Sequence, residues 1–262
     1  MTYRYSVLKA CTTIGLIVIL GMSMDANAGI LGFGGTSWKE EVLLHDGNTI
    51  IVERSFSRGG RHEIGQGEPI KEQAMSFTLP ASNQSVTWKS DYSDDVGRSN
   101  FNLLAVHILN GTPYVVASPN LCLSYNKWGR PNPPYVFFKY DGKDWQRIPL
   151  AEAPVEFREI NVVITIGNYD FSEATKITPV LPPSVINKLN STLTQPEYKT
   201  ILREPLADAG ANCGEMVSNG KGLWVGMGWF RRQPSYAACM NYCSAEDFSA
   251  QYCPCATLFK GK

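Results

Sequence analysis

The chain is predicted to be a mainly β protein, an antiparallel sandwich or meander or an irregular barrel, with a small α-containing, disulfide-bonded C-terminal segment. Three observations point there. Four Asp-Gly or Asn-Gly steps stand between apolar runs. Such dipeptides accept the positive φ angles of the type I′ turn, which folds one strand back onto the last. Aromatic content is high, with six Trp and twelve Tyr, which suits a sheet core or a binding face. Finally, five of the seven cysteines crowd between Cys213 and Cys255.

Taken from the N-terminus, residues 1–28 read as a secretory signal. Arg4 and Lys9 make a basic start, Ile14 to Gly21 an apolar centre, and Ala26-Asn27-Ala28 a small-x-small cleavage site. The apolar run is too short to span a bilayer, which takes about 20 predominantly apolar residues. No integral membrane segment is expected after cleavage. Cys11 would leave with the signal, and Cys122, Cys213, Cys239, Cys243, Cys253 and Cys255 would remain. An even number of cysteines in an exported chain implies disulfides.

Residues 29–180 form the expected β-rich domain. The first hairpin runs from Glu41–His45 through Asp46-Gly47 to Thr49–Glu53. Strands are expected at Met75–Leu79 and Ser85–Trp88. The second hairpin turns at Asn110-Gly111 between Leu104–Ile108 and Pro113–Val116, and the third at Asp141-Gly142 between Tyr135–Lys139 and Trp145–Ile148. A further strand is expected at Val162–Ile166. The hairpins are unevenly spaced and do not align beyond their turns, which disfavours a regular propeller.

Residues 181–262 change character. Pro182-Pro183-Ser184 can start a helix through Val185, Leu189 and Leu193, with a further helical turn or two at Pro196–Leu202. The fourth hairpin turns at Asn219-Gly220. Ser235 is the expected N-cap of a helix over Tyr236–Ser244. That helix sets Cys239 and Cys243 four apart on one face, poorly placed to bond each other, so each is expected to bond outside it. Cys122 is expected to join this region to the β domain. Six cysteines allow fifteen pairings, among which the sequence does not choose. Zinc held by Cys239, Cys243, Cys253 and Cys255, and redox-active thiols, are the rival readings, but the second pair is a Cys-x-Cys, tighter than the usual structural spacing, and a Cys-x-x-Cys redox motif is absent. No metal and no cofactor is therefore expected.

Charge separates few functions but does exclude some. The whole chain carries 24 basic and 24 acidic residues, and nothing basic enough for nucleic acid stands out. There is no Gly-x-Ser-x-Gly elbow, phosphate loop or dinucleotide fingerprint. His62 and Glu63, in the glycine-rich loop 57–69, are weak candidates for an acid–base pair, with His45 and Asp46 as possible companions. Gln66 stands where a His-Glu-x-x-His zinc motif would need its second histidine. The plainer reading of His62 and Glu63 is a solvated loop. Tyr125, Trp128, Arg130 and Tyr135, set among prolines, are the candidate binding residues, a stiff platform for a sugar ring or a partner peptide. The plainer reading there is packing over a sheet end.

The stretch from Cys122 to Lys139, with Trp128-Gly129-Arg130-Pro131 at its centre, resembles one in an uncharacterised family of exported proteobacterial proteins, as does the ending from Cys253-Pro254-Cys255 to Lys262. The resemblance implies export and no particular activity. Ser235–Leu258 also resembles the helix-borne Cys-x-x-x-Cys of PAN/apple modules, but the Cys-x-Cys after it departs from their spacing. The expectation is a periplasmic or secreted, non-catalytic binding or structural protein of the cell envelope with a protein or glycan partner. The alternative is a hydrolase with its site in the loops around His62, Glu63 and the aromatic turn.

Overall fold

Alternation of apolar and polar residues sets the first sheet. The structure, a computed structural model, describes residues 35–260; the expected signal sequence, residues 1–28, lies outside them. Strands β1 (Thr36–Leu43), β2 (Thr49–Arg58), β3 (Ile70–Thr78) and β4 (Ser85–Lys89) follow one another antiparallel. Along β1, Trp38, Glu40 and Val42 are buried while Lys39 and Leu43 face out, the two-residue period of a half-buried strand. The turn at Asp46-Gly47 is where the dipeptide predicts it, with Gly47 at φ 85°.

A two-residue ladder of β5 (Tyr92–Ser93) and β6 (Arg98–Ser99) leads to the second sheet. Here β7 (Phe101–Leu109) and β8 (Thr112–Pro119) pair through a turn with Asn110 and Gly111 at φ 50° and 76°, both positive as a type I′ turn requires. After helix α1 (Leu121–Lys127), strands β9 (Val136–Tyr140) and β10 (Trp145–Ile148) complete the sheet in the order β10-β9-β8-β7.

The two sheets pack face to face. Val42, Val52, Met75, Phe77 and Trp88 of the first meet Phe101, Leu103, Val106, Val115 and Val136 of the second. The second sheet is covered on its other face too, where Leu104, Val116 and Phe137 pack on Phe157, Ile160 and Ile201. Burial on both faces explains why β7 is apolar at most positions, Asn102 and His107 being the exceptions.

Val162–Ile166 is not a strand, contrary to its β-branched composition. Its backbone is paired instead with buried side chains. The Val163 N–H donates to Glu40 Oε2 (3.1 Å), and the Val163 carbonyl accepts from Arg54 Nη1 (2.7 Å). Asn190 spans the Val162 carbonyl and the Ile164 N–H, and Asn161 spans the N–H and carbonyl of Val106 on the edge strand β7. Glu40 and Arg54 are an ion pair at 2.7 Å on the inner face of the first sheet, 0% and 2% exposed, with Trp38 Nε1 donating to the same carboxylate. A buried charge pair is tolerable only when its remaining groups are hydrogen-bonded, and the backbone at Val163 meets that need.

Two helices close this end. Helix α2 (Tyr169–Ile177), capped by Asn168 accepting from the Phe171 N–H, had no counterpart in the sequence expectation. Helix α3 (Pro183–Asn190) starts at the proline pair as expected. Between them β11 (Val180–Leu181) adds to β1 in parallel. Phe171, Leu181, Ile186 and Leu189 bury Trp38 and Phe56, so residues on both sides of position 180 share this cluster. The expected turn at Pro196 is a single 3₁₀ turn, Pro196–Tyr198.

The remainder is a small unit of its own composition. It holds the hairpin β12 (Met216–Ser218) and β13 (Trp224–Gly226), then α4 (Met227–Arg231), α5 (Tyr236–Ala245) and α6 (Cys255–Leu258). Ser235 caps α5 by accepting from the Ala238 N–H, as predicted. Its core is Val225, Phe230, Cys239, Cys243, Phe248 and Cys255. No helix among the described residues is long and apolar enough to cross a membrane.

Candidate functional site

The six cysteines among the described residues are all paired: Cys122–Cys213, Cys239–Cys255 and Cys243–Cys253. Cys239 and Cys243 each bond outside their helix, and Cys122 ties the C-terminal region to the β body. The sulfurs that a zinc reading would use are engaged in these bridges.

The four aromatic-loop residues do not form an open platform. Tyr125 and Tyr135 are buried, and Trp128 is half-buried with its ring 4.5 Å from Phe101. What the loop holds is the chain's own C-terminal segment. Arg130 stacks on Tyr125 at 5.0 Å and donates to the carbonyls of Cys213 (2.8 Å) and Gly210 (3.4 Å). Asn126 accepts from the Met216 N–H and donates to the Gly214 carbonyl, each at 2.9 Å. Asn132 likewise accepts from the Leu206 N–H and donates to its carbonyl. The Tyr135 hydroxyl donates toward the carbonyls of Glu197 and Thr200 and accepts from the Leu202 N–H, and burial pushes its phenol pKa up. Gly210 lies at φ 67° against the Tyr125 ring, where a Cβ would collide. Of the candidate binding residues, Tyr125, Arg130 and Tyr135 thus hold residues 197–216 of the same chain, and Trp128 packs on Phe101.

A second mount comes from the glycine-rich loop. Arg61 donates to the carbonyls of Asp95 (2.9 Å) and Gly222 (3.2 Å), and Trp224 Nε1 donates to the same Asp95 carbonyl (2.8 Å). Gly97, at φ 76°, leaves room for the Arg61 side chain; a Cβ would come within 2.8 Å of it. Burial alone would raise the Asp95 carboxyl, but hydrogen bonds from Ser93 and Lys127 together with the Lys127 charge hold it below its usual range.

His62 and Glu63 are both exposed. His62 Nδ1 lies 3.1 Å from the Gly60 carbonyl, and among the described residues no side chain is hydrogen-bonded to either residue. His45 and Asp46 are not their companions. The His45 ring instead packs 5.8 Å from His107 and 5.1 Å from Phe157.

Most of the exposed aromatic side chains lie on the C-terminal unit, although the most exposed, Tyr169 at 77%, opens α2. Trp229 is 55% exposed, Tyr236 50% and Tyr252 44%, three of the four large aromatic side chains that stand out into solvent among the described residues. Arg232 stacks on Trp229 at 5.1 Å. The unit under them is stiff: two disulfides close it, Arg231 pairs with Glu215 at 2.5 Å, and Lys221 pairs with Asp247 at 2.8 Å. Sequence reading missed these residues because nothing local marks Trp229 as exposed and Trp128 as packed. The signal available was the neighbourhood, Trp229 and Arg231-Arg232 inside the cysteine-rich stretch.

Neither the protein-family models, nor the curated proteins, nor the solved structures give a match to the chain.

Proposed function

We propose that the chain is an exported, non-catalytic binding protein of the cell envelope, and that its disulfide-bonded C-terminal unit presents Trp229, Tyr236 and Tyr252 to a protein or glycan partner. The observation that carries the reading is the exposure of these aromatics on a braced scaffold. A chain of this size can bury its aromatic rings, and it buries Trp38, Trp88, Phe101 and Phe157. Rings left in water on a cross-linked unit keep their contact area without an ordering cost on binding. Tyr, Trp and Arg are also the residues in which binding energy concentrates. Export is supported by the basic start, apolar centre and small-x-small site of residues 1–28 and by three disulfides, which persist in oxidising compartments. The likeness of Cys122–Lys139 to exported proteobacterial proteins points the same way.

The test is in-cell photo-crosslinking. A photoreactive amino acid is placed in turn at positions 229, 236 and 252, and at 62 and 64 in the exposed glycine-rich loop. The reading expects adducts from the first group and none from the second. Adducts only at 62 or 64 would move the site to the loop of His62 and Glu63 and favour the hydrolase alternative.

A further inference from the structure

The two bridges of the C-terminal unit touch each other. Cys243 Sγ lies 3.4 Å from Cys255 Sγ, although the two sulfurs belong to different disulfides. Their access to solvent is unequal. Cys239, Cys243 and Cys255 are 0%, 1% and 0% exposed, whereas Cys253 is half-buried, its sulfur 3.6 Å from Met240 Sδ, and is the least buried of the four residues. Attack on Cys253 would release Cys243, whose sulfur already lies against the inner bridge.

We propose that these four cysteines form a thiol–disulfide exchange site, which accepts a dithiol reductant at Cys253 and passes the broken bond inward to Cys239. A thiolate of the dithiol attacks Cys253 Sγ, forming a mixed disulfide and expelling Cys243 as a thiolate. The second thiol of the reductant displaces Cys253, which takes up a proton, and the reductant leaves as a disulfide. The Cys243 thiolate then attacks Cys255 Sγ. The Cys243–Cys255 bond forms, the Cys239–Cys255 bond breaks, and Cys239 leaves as a thiolate that takes up the second proton. Two electrons and two protons pass from one dithiol to the protein. Two bridges become one, Cys243–Cys255, with thiols at Cys239 and Cys253.

Position along α5 gives the exchange its direction. Cys239 lies one turn nearer the helix N-terminus than Cys243. Cys243 lies in the last turn, where the partial negative charge disfavours a thiolate, so the helix field penalises a thiolate at Cys239 less than one at Cys243. The better leaving group is therefore the cysteine that the exchange expels. Helix α5 stays tied to α6 throughout, because the new bridge joins the same two elements.

The experiment uses the full chain and dithiothreitol as the dithiol, titrated from one to three equivalents. Samples are quenched in acid, alkylated in denaturant, and mapped by chymotryptic digestion with fragmentation. The readout is taken on molecules that have lost one of the two C-terminal bridges. The expected species carries alkyl groups on Cys239 and Cys253 and a Cys243–Cys255 bond. Alkylation of Cys243 and Cys253 with Cys239–Cys255 intact would overturn the proposal, as would alkylation of Cys239 and Cys255 with Cys243–Cys253 intact. A second arm needs no reductant. In Cys253→Ser, Cys243 begins unpaired, and alkylation is expected to divide between Cys239 and Cys243; alkylation confined to Cys243 would contradict the transfer.

Discussion

Arg130 donates to the carbonyl of Cys213 at 2.8 Å, and the sulfur of that same cysteine is bonded to Cys122 in the helix just before Arg130. One short stretch thus grips the C-terminal segment by backbone and by side chain together. With Asn126 and Asn132 beside it, this stretch is the mount from which the C-terminal unit projects.

The grip has a measurable strength. The Cys122–Cys213 bridge closes a separation of 91 residues, for which chain entropy gives about 4–5 kcal/mol as an upper figure. Replacing both cysteines with serine should lower stability by about 2–5 kcal/mol in urea unfolding. Arg130→Ala added to that pair should speed amide exchange across residues 206–216 while leaving β1 to β4 protected. Equal acceleration throughout the sandwich would show that the loop supports the body and not the segment.

The Glu40–Arg54 pair predicts an asymmetry. Arg54→Met leaves a buried carboxylate facing only Trp38 Nε1 and the Val163 N–H, and should cost about 3–5 kcal/mol. Combining it with Glu40→Gln should cost less than the sum of the two single changes, because the uncompensated charge is gone. A double-mutant cycle in urea reads this directly. Strict additivity would mean that the two groups do not act as a pair.

His107 sets an acid limit. It is 0% exposed, stacked on Phe157 at 4.7 Å, with Nε2 held 3.1 Å from the Glu159 carbonyl. Burial drives its pKa from 6.5 down to about 4, against the partial support of the Glu159 carbonyl; His45 lowers it further and Asp46 opposes. The unfolded chain therefore binds this proton before the native one does. Stability should be complete above about pH 6.5 and fall as the pH drops to about 4, by about 3 kcal/mol from this group. In His107→Phe the slope over that window should flatten. An unchanged slope would assign the acid sensitivity to other groups.

Much of the fold was legible because its signals are local. The turns at Asp46-Gly47, Asn110-Gly111, Asp141-Gly142 and Asn219-Gly220 all join paired strands. Only Asn110-Gly111 has both residues at positive φ, as a type I′ turn requires, while the other three are longer loops in which only glycine takes positive φ. Ser235 announced α5 for the same reason. Val162–Ile166 was misread because its hydrogen-bond partners Glu40 and Asn190 are remote in sequence, and no window contains them. Helix α1 escaped notice because it is only seven residues long and has no acidic residue in its first turn; Asn120 stands at its N-cap, but its side chain makes no capping bond. The candidate binding residues show the same divide. Composition marked Trp128 and Tyr135 as notable, but whether an aromatic ring faces water or Phe101 is decided by the sheet beneath it.

The most direct test of the account is the binding of a cell-envelope fraction to the immobilised chain, wild type against Trp229→Ala. Trp229 is 55% exposed, so its loss should leave stability within about 0.5 kcal/mol. The account predicts that binding falls about tenfold or more, equivalent to about 1.4 kcal/mol. Binding undiminished in Trp229→Ala, and in the same chain with Tyr236→Ala and Tyr252→Ala added, would contradict it.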